Sequence, residues 1–114
     1  MEIYELVEQA HRQATSSGFY GIDGKDKRNI AECLALIHSE ISEALEELRD
    51  PQFLHLFQMG FTREKKPIGF PIELADAVIR IADLCGYLGI DLQTAIEKKM
   101  IYNATRPMKH GKKF

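Results

Sequence analysis

Between Ile30 and Leu48, apolar side chains recur at 30, 33, 34, 37, 41, 44, 45 and 48. This is the i, i+3, i+4, i+7 spacing that lines one side of an α-helix and that a strand cannot use. Asp50-Pro51 closes the segment, because the residue before a proline is pushed out of the helical region. The same period recurs elsewhere. Ile3, Leu6, Val7, Ala10 and Ala14 predict a helix over 2–16 that stops near Gly18, followed by the glycine-rich loop GFYGIDGKDK (18–27). Pro71, a good first-turn residue, opens a helix reaching about Leu88 before Gly89. Leu74, Ala77, Val78, Ile81, Leu84, Cys85 and Leu88 form its core stripe. Ala75, Ile79, Ala82 and Gly86 form a second, small face open to close packing by another helix or a partner subunit. Asp91 is an N-cap for a last helix over about 92–105. QFLHLFQMG (52–60) reads as a short helix or turn and TREKKPIG (62–69) as a basic loop. No segment alternates with period two, so the expected fold class is all-α, with four helices.

The 114 residues are enough for one domain over 1–114 and one core. A net charge of -2 does not suit a general nucleic-acid binder. Its distribution is more telling. Residues 1–97 hold all 17 acidic groups and 9 basic ones, whereas residues 98–114 hold six basic groups and no acidic one. The N-terminus is acidic and amphipathic rather than signal-like, and no apolar run approaches a membrane span. Cys33 and Cys85 sit at apolar helical positions and read as buried reduced thiols, which points to a cytoplasmic protein without membrane partners.

The segment HSEISEALEEL (38–48) carries four glutamates. At about 100° per residue, Glu40, Glu43 and Glu47 share a sector of about 60° beside the apolar stripe, whereas Glu46 points away to plain surface. In PIELADAVIRIAD (71–83), Glu73 and Asp76 share a face, and Arg80 and Asp83 continue it. If the two helices pack antiparallel, Glu40/Glu43 and Glu73/Asp76 converge. Such an all-oxygen set suits a hard divalent cation, Mg²⁺ or Mn²⁺, and helical bundles build metal sites from facing helices in this way. Glu-x-x-His pairs, His-Glu-x-x-His and Cys-x-x-Cys are all missing, which argues against di-iron and zinc sites. The alternative is a solvated acidic face, with Glu73 and Arg80 in a surface ion-pair ladder.

In the C-terminal segment Lys99, Asn103 and Arg106 share a helix face, and Pro107 ends that helix ahead of Lys109, His110, Gly111, Lys112 and Lys113. Lys, Arg and Asn donors are what a polyphosphate needs; a solubilising tail is the plainer reading. Phe19, Tyr20, Phe53 and Phe57 are candidates to stack a base, and His11 or His38 to hydrogen-bond its edge; core or loop packing competes for each.

RNIAECLALIHSEISEALEELR (28–49), ELAD (73–76) and KKMIYNATRPMKHGKKF (98–114) together resemble the MazG-like all-α nucleoside triphosphate pyrophosphohydrolases, over about Gly18 to Phe114. The resemblance implies a small helical bundle assembling as a dimer or tetramer. It also implies Mg²⁺-dependent hydrolysis of a nucleoside triphosphate, ribo or deoxyribo, to the monophosphate and pyrophosphate, in nucleotide-pool house-cleaning. Glu40, Glu43, Glu73 and Asp76 match the family's metal-binding carboxylates. Lys99, Asn103, Arg106 and Lys109 match its phosphate-contacting end. Two positions depart from the pattern. Ser39 stands where many members carry a further acid, which removes any base role for that acid. Pro71 stands two before Glu73 near a position often held by lysine, for which Lys65 or Lys66 can substitute.

The implied chemistry is attack of an activated water on the α-phosphorus, with Glu40 or Glu43 as base and the basic end neutralising the leaving phosphates. The alternatives are a catalytically silent helical nucleotide-binding or regulatory protein and a purely structural oligomer.

Overall fold

The computed structural model describes residues 1–50 and 56–107. Its elements are α1 (Ile3–Ser16), α2 (Ile30–Arg49), the two-residue strands β1 (Gly60–Phe61) and β2 (Pro67–Ile68), α3 (Phe70–Leu88) and α4 (Leu92–Ala104). Among the described residues the fold is thus all-α apart from one antiparallel hairpin, in which Gly60 faces Ile68 and Phe61 faces Pro67. That hairpin lies where a turn and a basic loop are expected; two residues per strand are too few for alternation to register in the sequence. Residues 52–55 of the expected short helix or turn lie outside the described residues.

Local chemistry sets the helix ends. The Asn29 side chain accepts from the Glu32 N–H, and Asp91 does the same for Thr94, filling donors that a helix start leaves open. Asp50 is extended, as a residue before proline should be. At the start of α3, Gly69 adopts φ 127°, where a Cβ would lie 2.5 Å from the Gln58 carbonyl oxygen. Its own carbonyl accepts from the N–H groups of Ile72 and Glu73. Gly69 therefore fixes where the first turn begins, and with it the position of Glu73.

Helix α3 is the centre of the fold: α1 packs on one side of it, α2 on another, and α4 rests against α1. The expected small face is where α1 docks. Ala82 is fully buried, and a Cβ on Gly86 would come within 2.5 Å of the His11 Cβ, so the two helices touch almost backbone to backbone. Ala75 and Ile79, on that same face, are exposed.

The expected core stripes require correction. On α2, Glu40 and Ala44 are buried and Cys33, Leu36, Ile37 and Glu47 half-buried, so the side turned to α3 has Glu40 at its middle. Ile30, Leu34, Ile41, Leu45 and Leu48 are exposed, Ile41 and Leu45 to 50% and 53%. The reason is angular. These five centre about 100° around the helix from Glu40, beyond the reach of a single neighbouring helix. On α3, likewise, Leu74, Val78, Ile81 and Leu88 are exposed, while Ala77 and Cys85 are buried. No residue of α4 is buried. The four helices are present, but within one chain they do not close around a common core. Cys33 is half-buried and Cys85 buried, both as free thiols, and burial pushes the Cys85 thiol pKa up. No helix among the described residues is long and apolar enough to cross a membrane.

Candidate metal centre

The packing of α2 on α3 brings three of the four expected carboxylates together. One oxygen from each of Glu40, Glu73 and Asp76 lies within 4.8 Å of the other two. Glu43, one turn on from Glu40 and exposed, lies outside this trio but lines a second, acidic cleft together with Glu73 and helps raise the Glu73 pKa. Glu47 and Lys66 line that cleft as well. Lys66 thus supplies a cation beside the acids; Lys65, with φ 64°, does not line that cleft. Glu46, expected on plain surface, is exposed and pairs with Arg49, and both line that acidic cleft as well.

Among the described residues, the trio carries more carboxylates than bonded cations. Glu40, 6% exposed, accepts from Arg80 Nε at 2.6 Å through its Oε1. This cross-helix pair replaces the Glu73–Arg80 surface ladder considered from the sequence. Among the described residues Arg80 is the guanidinium bonded within the set, while Arg49 and Lys66 line the second cleft beside Glu43 and Glu73. Glu73 Oε2 is buried with no hydrogen-bond donor, a state that costs a carboxylate about 1–3 kcal/mol or more. Burial first, then the close Glu43 carboxyl, then the charges of Glu43, Asp76 and Glu40 push the Glu73 pKa from 4.5 up to about 6. Glu73 lies in the first turn of α3, where the helix dipole favours its ionised form; burial and neighbouring acids outweigh that.

A hard divalent cation fits this set. The donors are all carboxylate oxygens, and their spacing is the span of about 4–5 Å that one ion bridges at metal–oxygen distances of about 2.0–2.6 Å. The buried, donorless Glu73 oxygen is the group such an ion would satisfy.

A cleft of about 280 Å³ adjoins this centre between α1, α2 and α3. Glu40, Asp76 and Arg80 line one end, and Gln13, Ser17, Phe19, Arg28 and Asp83 are among its other walls. Of the aromatic candidates, Phe19 lines this cleft. Tyr20 does not line it. It is 2% exposed, its ring centroid is 5.0 Å from that of Tyr87, and its hydroxyl donates to Asp83 Oδ1 at 2.8 Å. Burial and then the Asp83 contact push its pKa well above the ordinary phenol value. His11 donates from Nδ1 to the same Asp83 oxygen at 2.9 Å, since a carboxylate can only accept. His38 is exposed and lines neither of these two clefts. Phe57 is exposed, and Phe53 lies outside the described residues.

The phosphate-binding candidates stand apart from the carboxylates. Lys99 Nζ and the Arg106 guanidinium lie 5.0 and 5.4 Å from the Tyr102 ring centroid, a cation–π arrangement on α4. Asn103 Oδ1 is buried without a donor. No α4 residue lines either cleft. Lys109, with His110 to Lys113, lies outside the described residues. Sequence reasoning placed Asp83 on the carboxylate face but missed its partners Tyr20 and His11. It also missed Arg28 and Gln13 as cleft residues. No local spacing marks pairs 63 and 72 positions apart.

No family model, curated protein or solved structure matches this chain.

Proposed function

We propose that the chain is a Mg²⁺-dependent nucleoside triphosphate pyrophosphohydrolase, which Mn²⁺ would also serve, converting a (d)NTP and water to the monophosphate and pyrophosphate. The observation that carries this reading is the under-neutralised Glu40/Glu73/Asp76 centre, with its buried donorless oxygen, at the end of a nucleoside-sized cleft. The resemblance of the two acidic motifs and the basic end to the MazG-like enzymes supports the same reading.

Glu40, Glu73 and Asp76 would hold the ion, with Glu43 at the edge of the set. When bound, the ion supplies charge neutralisation and Lewis-acid polarisation of the phosphate oxygens. Glu40 is already committed to Arg80 and buried away from bulk water. Glu43 is exposed beside Glu73 and is the better general base: it orients a water in line with the bond to the leaving pyrophosphate and takes its proton. Ser39, whose hydroxyl donates to the Leu36 carbonyl, takes no part. Lys66 is placed to balance phosphate charge from the acidic cleft.

The exposed apolar faces of α2 and α3 belong, in this reading, to a dimer or tetramer. A second copy covers them and brings Lys99, Asn103 and Arg106 to the phosphates. Incubation of the purified protein with Mg²⁺ and a dNTP panel tests the proposal. Pyrophosphate and monophosphate are the expected products, abolished in Glu43→Ala and Asp76→Ala. Release of inorganic phosphate, or full activity in those variants, overturns it.

A further inference from the structure

Seven residues beyond Asp76, two turns or about 10 Å along α3, Asp83 lines the same cleft. That offset is comparable to the reach from a nucleotide's phosphate to the edge of its base. Asp83 is held unusually firmly for a cleft residue. Tyr20, itself buried, and His11 both donate to Oδ1. Their rings stack edge to face with centroids 4.9 Å apart, and Gly86 lets His11 come close enough to α3 to make its bond. Oδ2 takes no hydrogen bond from the described residues. A fixed carboxylate with an uncommitted oxygen can only accept. It therefore favours a ligand edge that presents N–H donors and opposes one that presents carbonyl oxygens. Around it stand donors and a flat face: Gln13, the Phe19 ring, and Arg28, whose backbone N–H is held by the Tyr87 hydroxyl.

We infer that Asp83 is the base-reading residue of this cleft, accepting from the exocyclic amino group of a nucleobase, with Tyr20 and His11 as its positioning residues. The inference rests on the reading that a nucleotide occupies the cleft beside the carboxylates. The cleft then prefers amino-bearing bases to uracil or thymine, whose corresponding edge is a carbonyl. Phe19 is placed to stack on the base.

Cytosine and uracil differ at this edge and match in size, so dCMP and dUMP are the probes. Calorimetric titration of the full chain with each, in Mg²⁺, should give dCMP an affinity about 5- to 150-fold above dUMP, the range of one well-placed base contact. The dCMP/dUMP ratio should fall to near one or reverse in Asp83→Asn, whose amide can donate to a carbonyl. It should fall part of the way in Tyr20→Phe, which frees the carboxylate to move; a merely structural role would weaken both nucleotides equally and leave the ratio fixed. Equal affinities, tighter dUMP, or no binding of either by the wild-type chain overturns the inference, even if the Asp83 variant does not fold. Selective dCMP binding without triphosphate turnover would leave Asp83 as the reader and remove the pyrophosphohydrolase reading. Turnover without base preference would do the reverse.

Discussion

The two ends of α3 hold acids in opposite conditions. Near its start, Glu73 and Asp76 face Glu40 and Glu43 with Arg80 as the one bonded guanidinium, and a carboxylate oxygen is buried without a donor. Near its end, one oxygen of Asp83 is held from two sides: Tyr20 and His11 both donate to Oδ1, the Tyr87 ring lies tilted against Tyr20, and Gly86 admits α1. The same helix thus carries one site that stores like-charge repulsion and one that stores none. Repulsion kept in a folded protein marks a place where something positive is expected to bind. A carboxylate oxygen held by two donors marks a place where geometry is being held.

The largest expected effect is at the first end. Asp76→Ala should lower kcat/KM for a preferred dNTP by about 10²–10³-fold or more, on the scale of removing one transition-state electrostatic contact, while leaving the thermal melt of the metal-free protein unchanged or raised. If a second copy supplies the α4 donors, mixing inactive Asp76→Ala with inactive Arg106→Ala chains should restore measurable turnover. Mixtures that stay inactive would confine the site to one chain.

At the second end a change should cost stability. Gly86→Ala would normally favour a helix by about 1 kcal/mol. Here the new methyl meets the His11 Cβ at 2.5 Å and the Val7 carbonyl at 3.2 Å. Neither is the loose tip of a side chain, so α1 must move, and a net loss of about 1–3 kcal/mol is expected in chemical denaturation. An unchanged or raised midpoint would show that α1 and α3 are not in this close contact.

Tyr20→Phe removes one donor to Asp83 and should cost about 1–2 kcal/mol by the same measurement.

The smallest effect is on pH dependence, and its sign separates the two ends. Glu73 holds its proton more tightly folded than unfolded, with a pKa of about 6 against 4.5. Between those values the folded state binds more protons, so this group's contribution favours folding below pH 4.5 and is lost as pH rises through 6. In metal-free buffer, Glu73→Gln should therefore be more stable than wild type above pH 6, and that advantage should shrink toward pH 4.5. An advantage that grew on acidification would contradict the assignment.

Much of the fold was readable because it is locally encoded. The Asn29 and Asp91 caps, the Asp50-Pro51 stop and the apolar period set four helices close to where they lie. What covers each apolar side was not readable. The α2 arc from Cys33 round to Leu45 is wider than one neighbouring helix can use, and nothing in its residue types says that α3 takes the edge containing Glu40. Helical phase put Glu73 with Asp76 and Glu40 with Glu43, but that Glu40 and not Glu43 joins the α3 pair follows from how α2 packs on α3. The Asp83 network was not legible, because its partners come from α1 and from the loop after it, and pairings at such separations leave no trace in a single sequence. The hairpin before α3 and the seating of α4 against α1 were likewise set by tertiary packing.

The most direct test of the central claim is calorimetric titration of Mn²⁺ into metal-free protein at pH 6, in two buffers of different ionisation enthalpy, for wild type and Glu73→Gln. The account predicts saturable binding to wild type with release of protons as the ion displaces the one that Glu73 holds, and weakened binding with little proton release in the variant. Absence of saturable binding to wild type, or identical binding and proton release in both proteins, would contradict it.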